Sequence, residues 1–125
     1  MVRGIGIDLV ELDRIRASYE RFGERFVGKI LTRREMTRLK DRRDPAPYLA
    51  AMFAAKEAAV KALGTGFAQG VTLHNVEILH LASGKPELHL HDRALEVATA
   101  LGVTSTYVSL THARDTAGAV VVLEG

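Results

Sequence analysis

The sequence predicts an α+β protein in which a largely antiparallel sheet packs against one long central helix. Three observations support this class. A strand-like segment opens the chain, helical periodicity follows up to residue 64, and the second half changes to short strand-like segments joined by turns. Strands joined by hairpins pair in antiparallel fashion, and strands grouped apart from helices are typical of α+β folds. The 125 residues fit a single domain, 1–125.

The first predicted strand runs from Val2 to Val10. Its faces differ in composition, with Ile5, Ile7 and Leu9 on one and Gly4, Gly6 and Asp8 on the other. Glycine weakens a strand interior, so it often indicates close approach by another backbone or a ligand. We call this face of the strand, with Gly4 and Gly6, the glycine track. Asp8 lies at its end, where another backbone or a ligand can pack.

Helical patterns separated by a proline-containing turn follow this strand: one or two short helices at 11–26, another at 32–42, the turn at 44–47, and the central helix, which runs to Leu63. Thr32 and Glu35 form a capping box at the start of the helix at 32–42. Gly64 is typical of the residue that ends a helix.

The second half is predicted to contain two hairpins and one helix: strands at 75–81 and 86–91 around a turn at 82–85, a helix from Asp92 to Leu101, and strands at 105–112 and 117–124 around a turn at 113–116. Asp92 is the expected N-terminal cap of that helix, and Gly102 is expected to end it.

Composition excludes several classes of function. The chain has no cysteine, so it forms no disulfide, and zinc would have to use His and carboxylates. No apolar run approaches the roughly 18 residues that span a bilayer, and the N-terminus lacks a secretion signal. We therefore expect a cytoplasmic protein with no membrane contact. The net charge is only +2, but basic residues crowd between Arg14 and Arg43, which indicates an acidic partner.

The central helix carries the most suggestive polar residues. Glu57 and Lys61 are four residues apart, so they share one helix face. The surrounding alanines make the helix thin, and a thin helix over the glycine track could bring Glu57 close to Asp8. Two converging carboxylates repel each other unless one is protonated or a cation bridges them. Oxygen ligands suit Mg²⁺, which often binds one or two carboxylates together with substrate phosphates, and Lys61 would then face those phosphates.

The pattern alone leaves other interpretations open. Asp8 could cap the following helix, because D-L-V-E with Glu11 is itself a capping box. Glu57 and Lys61 could be a solvated pair that contributes about 0.3–0.5 kcal/mol. His112, at the end of a strand, is typical of an edge residue. Gly64 could be a plain helix stop, since G-T-G here follows a helix instead of opening one.

Taken together, the motifs resemble the holo-[acyl carrier protein] synthases, the small 4′-phosphopantetheinyl transferases. Four segments carry the resemblance: GIGIDLVELDR at 4–14, FAAKEAAVKALGTG at 53–66, SGKP at 83–86 and SLTHARDTAGAVVVLE at 109–124. They are in the family's order and span nearly the whole chain. The spacing F-x-x-K-E-x-x-x-K-x-x-G-T-G is specific. The resemblance implies the 4′-phosphopantetheinyl transferase fold.

The resemblance also implies an activity, the transfer of 4′-phosphopantetheine from coenzyme A to a serine of an acyl carrier protein, in fatty acid or polyketide synthesis. Asp8 and Glu57 match the family's magnesium ligands. The positions that match the coenzyme A site are Lys61, Gly64, Gly66, Lys85, Pro86 and His112. Asp8, Glu57 and Lys61 would form the catalytic group, and either Glu57 or Asp8 would act as general base through a water molecule.

Family members of this length are trimers with active sites between subunits, so the resemblance implies a homotrimer. Arg14, Arg21 and Arg25 match the surface that receives the acidic carrier protein. Met52 departs from the family pattern, because an arginine usually precedes the phenylalanine at this position. That departure puts the binding of the coenzyme A 3′-phosphate in doubt.

Two rival interpretations come from other classes. A basic nucleic-acid-binding module would explain the Arg14–Arg43 cluster, but aromatic residues are only 6% of the chain and no stacking platform is evident. We therefore expect no nucleic-acid partner. A non-catalytic relative of the enzyme is the other rival, and Met52 favours it slightly.

Overall fold

A computed structural model describes residues 1–125. It contains five strands and five α-helices: β1 Val2–Glu11, α1 Leu12–Phe22, α2 Glu24–Ile30, α3 Arg33–Leu39, α4 Ala46–Leu63, β2 Val76–His80, β3 Pro86–Leu90, α5 Asp92–Ala100, β4 Ser105–His112 and β5 Thr116–Glu124. A short 3₁₀ turn, Leu73–Asn75, precedes β2. No helix combines the length and the apolar character that crossing a bilayer requires.

The strands form two sheets, and every pairing is antiparallel. A three-stranded sheet has the order β1-β5-β4, and β2 pairs with β3 in a separate two-stranded sheet. The β4–β5 hairpin forms as predicted, and β1 pairs along the free edge of β5, which brings the two ends of the chain together. The α+β prediction is confirmed, and the long helix α4 packs against this three-stranded sheet.

The glycine track of β1 contacts α4 directly. A Cβ atom at Gly6 would lie 1.9 Å from the carbonyl oxygen of Ala58, and one at Gly4 would lie 2.2 Å from that of Ala62. Any larger residue at either position would push the helix away. The prediction that a thin helix lies over the glycine face of the strand is therefore confirmed.

Helix α4 is buried on almost every side. It belongs to a cluster of 28 buried apolar residues that extends from Val10 to Leu123. Gly64 ends the helix in the left-handed conformation, with φ of 80°, as the sequence predicted. Only Lys61 and the proline of the first turn are exposed along its length, whereas Lys56 is completely buried.

Some predicted boundaries are wrong. Glu11 belongs to β1, and Gly23 divides the segment that follows into two helices, the second of which continues to Ile30. Asp92 does not cap α5, because His91 occupies the cap position and Asp92 is the first helical residue. The capping box of Thr32 and Glu35 is confirmed: the Thr32 hydroxyl accepts from the Glu35 N–H, and the Glu35 carboxylate accepts from the Thr32 N–H.

Candidate functional site

A groove of about 390 Å³ lies where β1, α1 and α4 meet. The three side chains singled out in the sequence line it together: Asp8 from β1, and Glu57 and Lys61 from α4. Arg14 of α1 lies at the same groove. The close contact between the glycine track and α4 is the reason that residues 49 positions apart, Asp8 and Glu57, share one site.

Lys61 is anchored to β1 by two hydrogen bonds. Its ammonium donates to Asp8 Oδ1 at 2.9 Å and to the carbonyl oxygen of Ile7 at 3.1 Å. An ammonium group has three donors, so one remains free. The side chain is 51% exposed, and that free donor can reach a ligand. The hydrogen bond to Asp8 raises the pKa of Lys61, which keeps the group charged.

Glu57 takes part in no ion pair, although Lys61 lies one turn further along the helix. Burial raises the pKa of Glu57, the negative charge of Asp8 raises it further, and Lys61 opposes both effects. Both carboxyl groups line the same groove. The interpretation of Glu57 and Lys61 as a simple surface pair is therefore wrong, since Lys61 pairs with Asp8.

The alternative role for Asp8, as a helix cap, is excluded by the backbone. The N-terminal cap of α1 is Glu11, no side chain caps that helix end, and Asp8 lies within β1 with its side chain toward α4. Its carboxylate is thus available to the groove.

The two carboxylates provide only some of the ligands that a divalent cation needs. No group of three or more His, Cys, Asp or Glu side chains could hold a metal by itself. Asp8 and Glu57 offer carboxylate oxygens in one groove, and their mutual repulsion is relieved on one side only, by Lys61. This donor set fits Mg²⁺, which retains waters and completes its shell with substrate phosphates. It is a poor fit for zinc, which prefers three or four His or Cys ligands.

The groove continues toward α2. A second basin of about 420 Å³ shares Ser18, Phe26 and Phe53 with the first, so the two basins form one continuous channel, called the groove below. Arg25 and Lys29 line the second basin together with Phe22 and Leu73. The Arg21 guanidinium lies 5.1 Å from the centre of the Phe22 ring. Of the three arginines assigned to the carrier surface, Arg14 and Arg25 line the groove, and Arg21 lies next to it through its contact with Phe22.

Other predicted site residues lie elsewhere in the chain. Gly64 and Gly66 have φ of 80° and 58° in the loop after α4 and line neither basin. Lys85 and Pro86 line a different pocket, of about 390 Å³, beside the start of β4. His112 ends the same strand, beyond Val108, the last residue of β4 that lines that pocket. None of these residues lines either basin, and their role in coenzyme A binding stays a prediction.

Sequence reasoning missed a fully buried ion pair beside this site. Lys56 Nζ lies 2.9 Å from Glu35 Oε1, and both side chains are 0% exposed. A signal was present in the sequence, because Met52, Val60 and Leu63 place Lys56 on an apolar stripe of α4. Met52, the departure from the family pattern, is also completely buried and lines neither basin of the groove.

Comparison with known proteins places this chain in a family of enzymes. The model of the 4′-phosphopantetheinyl transferase superfamily matches residues 4–120. The chain belongs to that superfamily and is a phosphopantetheinyl transferase.

The relatives are holo-[acyl-carrier-protein] synthases. That of Solidesulfovibrio magneticus is 60% identical over 125 residues, which covers 100% of both chains. The crystal structure of the Neisseria meningitidis enzyme superposes with a TM-score of 0.89 at 40% identity and covers 100% of each chain. The Helicobacter pylori enzyme, in complex with coenzyme A, has a TM-score of 0.84 at 30% identity, with 96% and 99% of the two chains covered. The resemblance drawn from the motifs is confirmed.

Proposed function

We propose that this protein transfers 4′-phosphopantetheine from coenzyme A to a serine hydroxyl of an apo-acyl carrier protein, with Mg²⁺, and releases adenosine 3′,5′-bisphosphate. The observation that carries the proposal is the convergence of Asp8, Glu57 and Lys61 in one groove of a chain that belongs to the phosphopantetheinyl transferases. The relative from Helicobacter pylori, which was crystallised with coenzyme A, supports the choice of donor substrate.

The reaction is an attack by the serine oxygen on the β-phosphorus of the pyrophosphate. The new P–O bond forms as the bond to the bridging oxygen breaks, and the electron pair leaves with the adenosine 3′,5′-bisphosphate. Such transfers depend on position and charge stabilisation more than on a protein nucleophile. Lys61, whose remaining donor faces the groove, stabilises the charge that develops on the leaving phosphate.

The serine proton needs an acceptor within direct or water-mediated reach. Asp8 Oδ1 already accepts a hydrogen bond from Lys61, whereas Glu57 forms no ion pair. A raised pKa makes Glu57 a stronger base than an ordinary carboxylate. Glu57 is therefore the better candidate of the two for the proton acceptor, either directly or through a water molecule.

Asp8 and Glu57 are also the residues that would hold Mg²⁺, which when bound supplies charge neutralisation for the pyrophosphate oxygens. Asp8 and Glu57 would repel the pyrophosphate locally, and Arg14 and Lys61, which line the same basin, oppose that repulsion. We expect a divalent cation held by these two carboxylates to favour the binding of the pyrophosphate beside Asp8.

The rim of the groove fits an acidic protein with an apolar contact surface. Phe22 and Phe26 provide aromatic area, and Arg14, Arg21 and Arg25 provide positive charge around it. Part of the basic segment is already neutralised within the chain, since Arg16 pairs with Asp44 at 2.7 Å. The arginines of the groove have no such partner, so they are available to the carrier protein.

The outer face of the three-stranded sheet supports the proposed trimer. Ile5, Ile7 and Leu9 are 66%, 68% and 73% exposed on β1, and Tyr107 on β4 is 52% exposed. A contiguous apolar face of this kind on a monomer is typical of an interaction surface. A second copy of the chain on this face would bury these side chains, in agreement with the trimer that the family resemblance implies.

The trimer can be tested by introducing a charged residue on the outer face of the three-stranded sheet. We expect Ile7→Asp to convert the trimer to monomers in light scattering after size exclusion, and to reduce transfer. Leu95→Asp is the matched control, because Leu95 is 51% exposed on α5, away from the sheet. A wild-type protein that is monomeric in solution would refute the trimer.

The decisive experiment for the activity is mass spectrometry of an apo-acyl carrier protein after incubation with this protein and coenzyme A. We expect a phosphopantetheine adduct on one serine, which EDTA abolishes and added Mg²⁺ restores. No adduct under any of these conditions would favour the non-catalytic rival. Steeply salt-dependent binding to bulk DNA or RNA without binding of coenzyme A would favour the nucleic-acid module.

A further inference from the structure

The ammonium of Lys56 is the most enclosed charge in the protein. It donates to the carbonyl oxygens of Leu73 and Val76 and forms an ion pair with Glu35 at 2.9 Å, so all three of its donors are occupied. None of its partners belongs to α4. The ammonium lies outside the groove and does not touch the reacting groups.

Both carboxylate oxygens of Glu35 also accept hydrogen bonds from backbone groups. One carboxylate oxygen accepts from the Thr32 N–H at 2.8 Å, and the other accepts from the Ile78 N–H at 2.8 Å. Through this one carboxylate, Lys56 connects α4 to the start of α3 and to β2. Hydrogen bonds are directional, so this set of contacts admits only a narrow range of positions for the Lys56 side chain.

The contacts on the other side of α4 are much less directional. There the helix meets β1 through glycine and alanine, with Ala58 and Ala62 against Gly6 and Gly4. Small side chains of this kind provide close approach but few ridges that interlock. Successive residues of an α-helix point about 100° apart, so the direction held at Lys56 also sets the direction of Glu57.

We propose that Lys56 is a positioning residue, whose buried contacts with Glu35, Leu73 and Val76 hold α4 in the rotation that directs Glu57 into the groove beside Asp8. The same contacts hold α4 against Leu73, which lines the second basin of the groove. This inference rests on the proposed function for its effect on catalysis, but not for its effect on geometry.

Three variants distinguish an effect on the position of Glu57 from an effect on the stability of the fold. Lys56→Met and Glu35→Gln each leave one buried charge without its partner, so both destabilise the fold. The double variant, Lys56→Met with Glu35→Gln, removes both charges and recovers much of the lost stability. It does not restore the contacts with Leu73 and Val76, so we expect its kcat to stay about 10- to 100-fold below wild type. KM for coenzyme A should stay within about twofold, because Lys56 does not touch the substrate.

Leu49→Ala is the matched control. Leu49 is completely buried on α4, so its truncation destabilises the same helix but leaves the contacts of Lys56 in place. We expect the folded fraction of this variant to have the kcat of wild type. Circular dichroism at low temperature gives the folded fraction of each variant, so that turnover is compared per folded molecule.

A crystal structure of the double variant provides a readout that needs no activity. We expect the Glu57 carboxylate to move by about 1 Å or more relative to Asp8. A double variant that recovers both stability and turnover, or that retains the wild-type position of Glu57, would overturn the proposal. So would a failure of every variant to fold, since the pair would then act on stability alone. If the wild type transfers nothing, the proposed function fails, and the crystal structure still decides the positioning.

Discussion

Helix α4 carries two lysine–carboxylate pairs that have the same length and opposite character. Lys56 and Glu35 lie 2.9 Å apart with both side chains fully buried. Lys61 and Asp8 also lie 2.9 Å apart, but their side chains are 51% and 15% exposed. In the buried pair all three donors of Lys56 are occupied, whereas the exposed pair leaves one donor of Lys61 free. Equal distances therefore tell little about role, and the environment of each pair decides it.

The carboxylates near the two pairs also differ in how many hydrogen bonds and ion pairs they accept. Glu35 and Glu77, on the buried side, accept from several donors each. Glu57, in the groove, has a raised pKa because burial and Asp8 disfavour its charged form. One region satisfies its charges internally and becomes rigid. The groove leaves the charge of its carboxylates partly unpaired, as a site that receives a cation and a phosphate requires.

The largest effect in this comparison is expected at Glu57. Glu57→Gln removes a carboxylate charge from the groove and keeps the size of the side chain, so we expect transfer to be abolished, with a loss of at least about 100-fold. The thermal unfolding midpoint should not fall, because Glu57 forms no ion pair in the fold. Mass spectrometry of the phosphopantetheine adduct measures the loss of transfer. Glu96→Gln on α5 is the control, because it removes one negative charge as well. Near-normal turnover in Glu57→Gln would contradict the proposed arrangement of the site.

The second prediction is that Lys56 and Lys61 contribute differently to the free energy of unfolding. Lys56→Met leaves Glu35 buried without its cation, which should cost about 3–5 kcal/mol of the free energy of unfolding. Lys61→Met should lower that free energy much less, because Lys61 is half exposed and water can partly replace it beside Asp8, but it should reduce turnover. Urea unfolding monitored by circular dichroism gives both values. Similar losses of stability in the two variants would remove the distinction between the pairs.

The third prediction concerns acid stability. Burial alone would raise the pKa of Glu77, but hydrogen bonds from Arg34, Thr32 and His91 lower it to about 2. Since the pKa is depressed in the folded state, this stabilisation is fully present above the ordinary value near 4.5 and is lost as pH falls toward 2.

We expect the stabilisation from Glu77 to be on the order of 2–3 kcal/mol at neutral pH. Glu77→Gln should therefore be less stable than wild type at neutral pH, and the difference should shrink between pH 4.5 and 2. Unfolding free energies across that range measure the effect. A difference that is independent of pH would show that the Glu77 charge is not responsible.

The smallest effect is expected at the rim of the groove. Arg14→Ala should raise KM for an acidic carrier protein severalfold, with little change in kcat, and added salt should reduce the difference from wild type. Arg33→Ala is the matched control, because Arg33 is exposed on α3 and lines neither basin. Equal effects of the two substitutions would indicate a general influence of net charge instead of docking beside Asp8.

Local rules predicted much of the fold. The capping box at Thr32, the left-handed Gly64 and the alternation of β1 depend on residues close in sequence, and all three are confirmed. The cap of α5 was assigned wrongly to Asp92, because cap preferences of neighbouring residues differ too little to fix a boundary within one position.

Sequence patterns were sufficient to predict the helices, the hairpins, the glycine track and, through the motif F-x-x-K-E-x-x-x-K-x-x-G-T-G, the family. Spacing alone could not decide whether Lys61 would pair with Glu57 or with Asp8, because one partner lies one turn away and the other lies 53 residues away. The partner of Lys61 and the burial of Lys56 became evident from the folded chain. Both depend on which surfaces of α4 meet β1 and β2, and that is set by the packing of the whole chain rather than by neighbouring residues.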